Sequence, residues 1–398
     1  MKKSLLETTL NKGNGILRLS PTWVPRSFCI PGRRLKLHPD DYYSLGASRG
    51  GIDERWFAST TKADNGPGTP EDEGLSYIYC DDGRKNSNFL FKEAIELMGN
   101  EILGSKAMKK HGGWTIYSKF FDNLEPLPLH LHQDDKFAAR VGRKGKPEGY
   151  YFPKQLNNHD GCFPHTYFGL NPGTTKDAVY RCLKNWDRGD NGILNLSRAY
   201  RLVPGTGWDV PPGVLHAPGS LLTYEPQRAS DVYGMYQSLT WNKRVPRDLL
   251  VKDVPEEHHN DIDYLIEMID WELNTDPNFY ENRFLSPVPV KPLKEMKASG
   301  YAEYHVVYKS PYFSATELTV FPGSTVTIRD KDAYGVIVLQ GRGTFGVVEI
   351  ESPAMIRFGQ MTGDELFVSY KAARAGISIK NTSEFEDLVM LKHFGPSA

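Results

Sequence analysis

The 398-residue chain carries 48 basic and 49 acidic side chains, a formal net charge of -1, so no broad electrostatic attraction to nucleic acid or to an anionic membrane surface is expected. A hydrophobic content of 39% supports a large core and excludes disorder, and the length predicts two or three domains. With no run of 18 apolar residues and only a short apolar stretch in MKKSLLETTL, neither a membrane span nor a signal peptide is predicted, and the cytoplasm is the default location.

The 37 glycines, 27 prolines and 12% aromatic residues predict many short strands joined by turns. Residues 1 to about 50, punctuated by Pro21, Pro25, Pro31 and Pro39, read as an irregular, strand-poor segment wrapping the fold. Asp64 to Gly74 is a polar loop, and FLFKEAIELMGNEILG (Phe89 to Gly104) has helical spacing, with Ser87 or Asn88 as cap. β-branched and aromatic runs extend from Trp114 to Phe152. TTKDAVYRCLKNWDRG is then a helix capped by Thr174 or Thr175. Strand patterns resume from Ala199 to Ser238, Asp261 to Asn274 forms an amphipathic acidic helix, and the prolines of FLSPVPVKP mark Phe284 to Pro292 as a linker. Beyond it, YAEYHVVYKSPYFSATELTVFPG, YGVIVLQGRGTFGVVEI and FEDLVMLKHF alternate as half-buried antiparallel strands do. Cys29, Cys80, Cys162 and Cys182 have no C-x-x-C spacing and read as reduced core thiols.

The candidate chemistry lies in four residues. Residues i and i+2 of a strand share a face, so His130 and His132 aim two imidazoles at one point. Glu148 in KPEGYYFP occupies a second strand, and His216, after the Pro211-Pro212-Gly213 turn, returns on a third. Three imidazoles and a carboxylate suit one divalent metal, Zn, Fe, Mn or Ni; the ligand set alone does not choose among them, and Zn is the expected ion. A ligating histidine needs an acceptor on its other nitrogen; Asp134, Asp135 and Asp209 are candidates by proximity, or else solvated turn carboxylates.

H-x-H, a Glu, and a later His after a Pro-Gly turn resemble the cupin pattern of a small β-barrel metal site. WTIYSKFFDNLEPLPLHLHQDDKFA, GKPEGYYF, RLVPGTGWDVPPGVLHAPGSLLTYEPQRASDV and, upstream, GGIDERWFAS resemble, in order over about two hundred residues, segments of the type I mannose-6-phosphate isomerase family. That resemblance implies a mainly β fold of two cupin (double-stranded β-helix, jelly-roll) barrels with helical insertions. The expected units are a metal-binding domain over residues 1–245 with a helical insertion near 174–189, a helical linker over 246–292, and a metal-free domain over 293–398. The last has only His305 and His393 and no H-x-H; its expected role is to pack against the first barrel. The implied activity is aldose–ketose isomerisation of a small sugar or sugar phosphate. Lys119, Lys136 and Glu225 fall at the family's catalytic positions, and Glu54 and Trp56 match its sugar-binding E-S-W; Lys119 and Glu225 could instead form an interior ion pair.

The chain departs from the family in three places. Pro128 replaces the serine before the ligands, Gly234 or Met235 stands where an arginine follows S-D, and Cys29 or Ile30 replaces an early tryptophan. Arg140, Arg143, Lys144 and Lys146 are a basic run that either clamps a phosphate or is solvated. A sugar-binding sensor cupin and, third, a metal-dependent oxygenase therefore stand beside the isomerase reading. Oligomeric state has no signature in the sequence.

Overall fold

The computed structural model describes residues 2–80, 88–157 and 163–397. Every strand pairing between the named strands is antiparallel, and four sheets carry the architecture. In the N-terminal half a seven-stranded sheet runs in the order Phe284–Leu285, Gly207–Val210, Glu148–Tyr151, Thr223–Arg228, Ile116–Phe121, Ile52–Phe57, Thr22–Pro25. A five-stranded sheet runs Ser197–Arg201, His165–Leu170, His216–Ala217, His130–Leu131, Gly234–Met235.

Alternation assigns the faces. Phe121, Tyr150 and Trp208 of the larger sheet meet Phe168 of the smaller one in an aromatic cluster between the two. Their sequence neighbours Phe120 and Tyr151, with Tyr224, project from the opposite face and pack with Val306, Phe313, Ile337 and Leu391 of the C-terminal half. Behind the five-stranded sheet, Leu129 and Leu131 bury themselves with Val179 and Leu183 of the Lys176–Lys184 helix and Leu265 of Ile262–Glu267. Thr175 caps the former helix by accepting from Ala178 N.

The C-terminal half repeats the two-sheet plan, with a seven-stranded sheet (Ile16–Arg18, Glu365–Val368, Tyr334–Gln340, Leu388–Phe394, Ser314–Val320, Tyr301–Val307, Val288–Pro289) and a four-stranded one (Thr325–Ile328, Ile377–Asn381, Arg342–Phe345, Val348–Glu351). The halves are joined by more than apolar contact. Arg55 forms two 2.8 Å hydrogen bonds to Asp364 and approaches Glu365 at 3.4 Å, and Tyr224 lies 3.1 Å from His393 Nδ1. Burial pushes Glu365 up to about 8 and His393 down to about 3.

Four expectations change. The N-terminal segment is ordered: Lys2–Lys12 is a helix and Ile16–Arg18 pairs with Glu365–Val368, placing this early strand in the C-terminal sheet. The proline-rich linker contributes edge strands to both halves, Phe284–Leu285 against Gly207–Trp208 and Val288–Pro289 against Tyr304–His305. Prolines are tolerated at such edges because a missing N–H costs no ladder bond there. The acidic helix breaks into Ile262–Glu267 and Trp271–Asn274, since the Asp270 side chain accepts from Leu273 N and starts a new helix. Asn88 does not cap Phe91–Leu103, which follows Leu90; its Oδ1 accepts from Cys80 N instead, and Ser87 lies outside the described residues. Cys29 and Cys182 are free thiols, and Cys162 lies outside the described residues.

Candidate metal centre

His130, Leu131 and His132 continue one extended segment, so Leu131 enters the core behind the sheet and both histidines face the interior. His216 pairs directly opposite His130. The three rings lie with centroids 5.1, 4.3 and 5.0 Å apart, and one nitrogen from each falls within 4.8 Å of the others. All three residues are buried, at 5%, 4% and 1% exposure, deep enough that water cannot satisfy them freely.

Backbone carbonyls fix the rings. Nδ1 of His130 lies 2.8 Å from Pro128 O, that of His132 2.6 Å from Val232 O, and that of His216 2.8 Å from Val214 O. A carbonyl only accepts, so each Nδ1 carries the proton and each Nε2 presents its lone pair inward. Burial, with the neighbouring imidazoles, holds His130 far below the usual histidine range, and burial holds His132 at about 4, so both are neutral at pH 7. His216 Nε2 is buried and has no hydrogen-bond partner. A buried acceptor left in this state costs about 1–3 kcal/mol, which a cation would relieve. The aspartates expected behind the rings serve elsewhere: Asp134 accepts from Phe137 N, Asp135 holds Arg228, and Asp209 holds Arg283.

Glu148 reaches the cluster from the facing sheet. Its Oε1 is 2.9 Å from His132 Nε2, its Oε2 is 3.6 Å from His216 Nε2, and the Tyr150 hydroxyl donates to Oε2 at 2.7 Å. Burial opposes its ionisation; the Lys146 ammonium, 3.0 Å away, favours it, and the carboxyl is held well below the usual range. Three imidazoles turned inward by their Nδ1–H bonds, together with one ionised carboxylate, fit a divalent cation.

From Glu148 a polar row crosses the inner face of the larger sheet. Glu225 stands opposite Lys119 in register, and Lys119 opposite Trp56. Lys119 Nζ is 3.2 Å from Glu54 and 3.4 Å from Glu225; these carboxylates overcome burial and keep it protonated. Glu54 also accepts from Trp56 Nε1 at 2.7 Å, and Trp56 stacks on Tyr117 at 4.4 Å. Tyr117 OH and Gln227 Oε1 are buried without hydrogen-bond partners, while Glu225 Oε1 faces Lys119.

Two cations of this row were not among the expected site residues. Arg26, 4% exposed, bridges Glu54 and Asp231 at 3.3 and 3.4 Å, and so brings a guanidinium to the very aspartate after which the sequence lacks one. Lys146 joins Glu148 to Asp231, at 3.0 and 3.8 Å. Its place in K-P-E, two residues before Glu148, was the available signal, hidden by the exposed basic residues preceding it. Of those, Arg143 is held by Asp64 at 3.1 Å, and Arg140 lies over the rings of Phe137 and Tyr264. Lys136, read as catalytic, is exposed and lies over Phe137; it and Arg140 sit outside the buried row on a short helical segment.

No protein-family model matches this sequence, and no curated protein is similar to it at a significant level. Solved structures are similar in fold. The mannose 6-phosphate isomerase from Bacillus subtilis superposes with a TM-score of 0.62 at 16% identity, over 96% of this chain and 99% of that one. A variant of the phosphomannose isomerase from Salmonella typhimurium superposes with a TM-score of 0.63 at 11% identity, over 96% of this chain and 100% of that one. At these identities the likeness establishes a shared fold, and with it the mainly β, cupin-type architecture expected from the sequence.

Proposed function

We propose that the protein is a metal-dependent aldose–ketose isomerase acting on a small sugar or sugar phosphate. The observation that carries this reading is the confrontation, across one interior, of the His130/His132/His216 cluster with the Glu148–Glu225–Lys119–Glu54 row. Two proteins of the same fold bear the name of mannose 6-phosphate or phosphomannose isomerase, which supports it.

Aldose–ketose interconversion needs a group that moves a proton between adjacent carbons, and positive charge for the oxyanion of the enediol. His130, His132, Glu148 and His216 would hold the cation, with Zn the expected ion and Fe, Mn or Ni also compatible with this donor set. Bound there, it supplies Lewis-acid stabilisation of the developing oxyanion. Lys119, kept cationic between Glu54 and Glu225, donates hydrogen bonds to a sugar oxygen. Glu225, whose carboxyl is pushed above the usual range by burial and by the neighbouring Glu148, is placed to carry the proton. Trp56 and Tyr117 furnish a stacked aromatic wall, and Glu54 orients both Trp56 and Lys119.

The test is ketose formation from a panel of aldoses and aldose phosphates by protein loaded with each metal. Lys119→Met and Glu225→Gln should each lower kcat at least about a hundredfold while one equivalent of metal stays bound. Absence of ketose from every aldose, with a sugar still raising the melting temperature, would replace this reading with a sugar-binding sensor.

A further inference from the structure

We infer that the substrate of this site is an uncharged sugar, without the phosphate named in the structures that share its fold. This deepens the proposed isomerase reading and rests on it for its kinetic test.

The inference comes from where the cations are spent. A phosphate dianion needs guanidinium or ammonium donors free to turn towards it. Here Arg26 faces Glu54 and Asp231, Lys119 faces Glu54 and Glu225, and Lys146 faces Glu148 and Asp231. The next cations outward are engaged as well: Lys252 by Asp64 and Asp253, both at 3.0 Å, and Arg143 by Asp64. Asp64 is tied to the interior, since its N–H donates to Asp231. Drawing any of these cations to a phosphate would strip a carboxylate of its partner in a place where water cannot replace it. Arg140 and Lys136 are occupied by aromatic faces on the surface, and Lys144 is exposed.

The groups left without partners point to the opposite ligand. Gln227 Oε1 is an acceptor, and the Tyr117 hydroxyl both accepts and donates. Such groups receive hydroxyl donors, which a sugar carries on most of its carbons and a phosphate dianion lacks. Pro128, beside the first ligand, adds no donor.

The experiment compares free aldohexoses and aldopentoses with their terminal phosphates, using metal-loaded protein and ketose formation as the readout. The expected result is a kcat/KM at least about tenfold higher for the best free sugar than for its phosphate. An equal or higher value for the phosphate overturns the inference while leaving the isomerase reading intact. If no sugar turns over, the isomerase reading fails separately, and the charge argument is decided by binding: alditols against alditol phosphates, scored by the shift in melting temperature. Greater protection by the neutral alditol supports the inference; greater protection by its phosphate, or by neither, overturns it.

Discussion

Replacing His216 by Ala tests the metal centre most directly, because two effects of known sign meet in that side chain. At 1% exposure, truncating the ring leaves a void, which for large-to-small core changes costs about 2–5 kcal/mol. Against this, the metal-free protein already bears the unpartnered Nε2, a penalty of about 1–3 kcal/mol that the substitution removes. The metal-free variant should therefore lie only about 1–2 kcal/mol below the metal-free parent. With free metal at about a thousand times its dissociation constant, the parent gains about 4 kcal/mol, since the folded state alone holds the assembled site. The variant should gain almost none of it. Urea denaturation with and without a chelator, alongside elemental analysis, measures both terms. A parent that carries no metal and ignores the chelator would refute the argument, as would a variant that keeps a full equivalent.

Other outcomes follow from particular contacts. Arg55→Met should cost about 3–5 kcal/mol in urea titration, because Asp364 and Glu365 would remain buried without their cation; a loss below about 1 kcal/mol would show that water reaches them. His393 has a folded pKa of about 3, lowered by burial from the ordinary histidine value, so the stability it contributes is present above about pH 6.5 and falls away as the pH drops towards 3. His393→Gln should flatten the stability profile across that window, and an unchanged profile would contradict the assignment. Lys136→Ala and Arg140→Ala should leave isomerase kinetics within about twofold, since both side chains lie on the surface over aromatic rings; a tenfold loss in kcat would return them to the site.

What the sequence disclosed depended on whether the physics was local. The period-two spacing of His130 and His132 sets their shared face directly, and Thr175 announces a helix start, so both were legible. The acceptors behind the imidazoles were not, because backbone carbonyls at Pro128, Val232 and Val214 have no residue signature, whereas nearby aspartates do. Arg26 was invisible for a different reason: it lies 205 positions from Asp231, and only the pairing of Thr22–Pro25 with Ile52–Phe57 carries it inward. The Lys2–Lys12 helix buries Leu6 alone, so no apolar stripe marks it. Asp270 was readable in principle, an aspartate just ahead of Trp271, but the acidic periodicity on both sides masked a helix start as a helix interior.

The pairing of Ile16 with Val368 has a consequence for how the polypeptide is made. During synthesis this segment leaves the ribosome early, while its sheet neighbour follows roughly 350 residues later. The nascent chain must keep an apolar edge unpaired while roughly 350 residues are added, and sheet closure waits on a contact of very high sequence separation, the kind that slows folding. Moving residues 2–20 by circular permutation to follow the C-terminus would bring the two partners together in time. Such a permutant should refold faster and leave less aggregate at high concentration than the natural order of the chain.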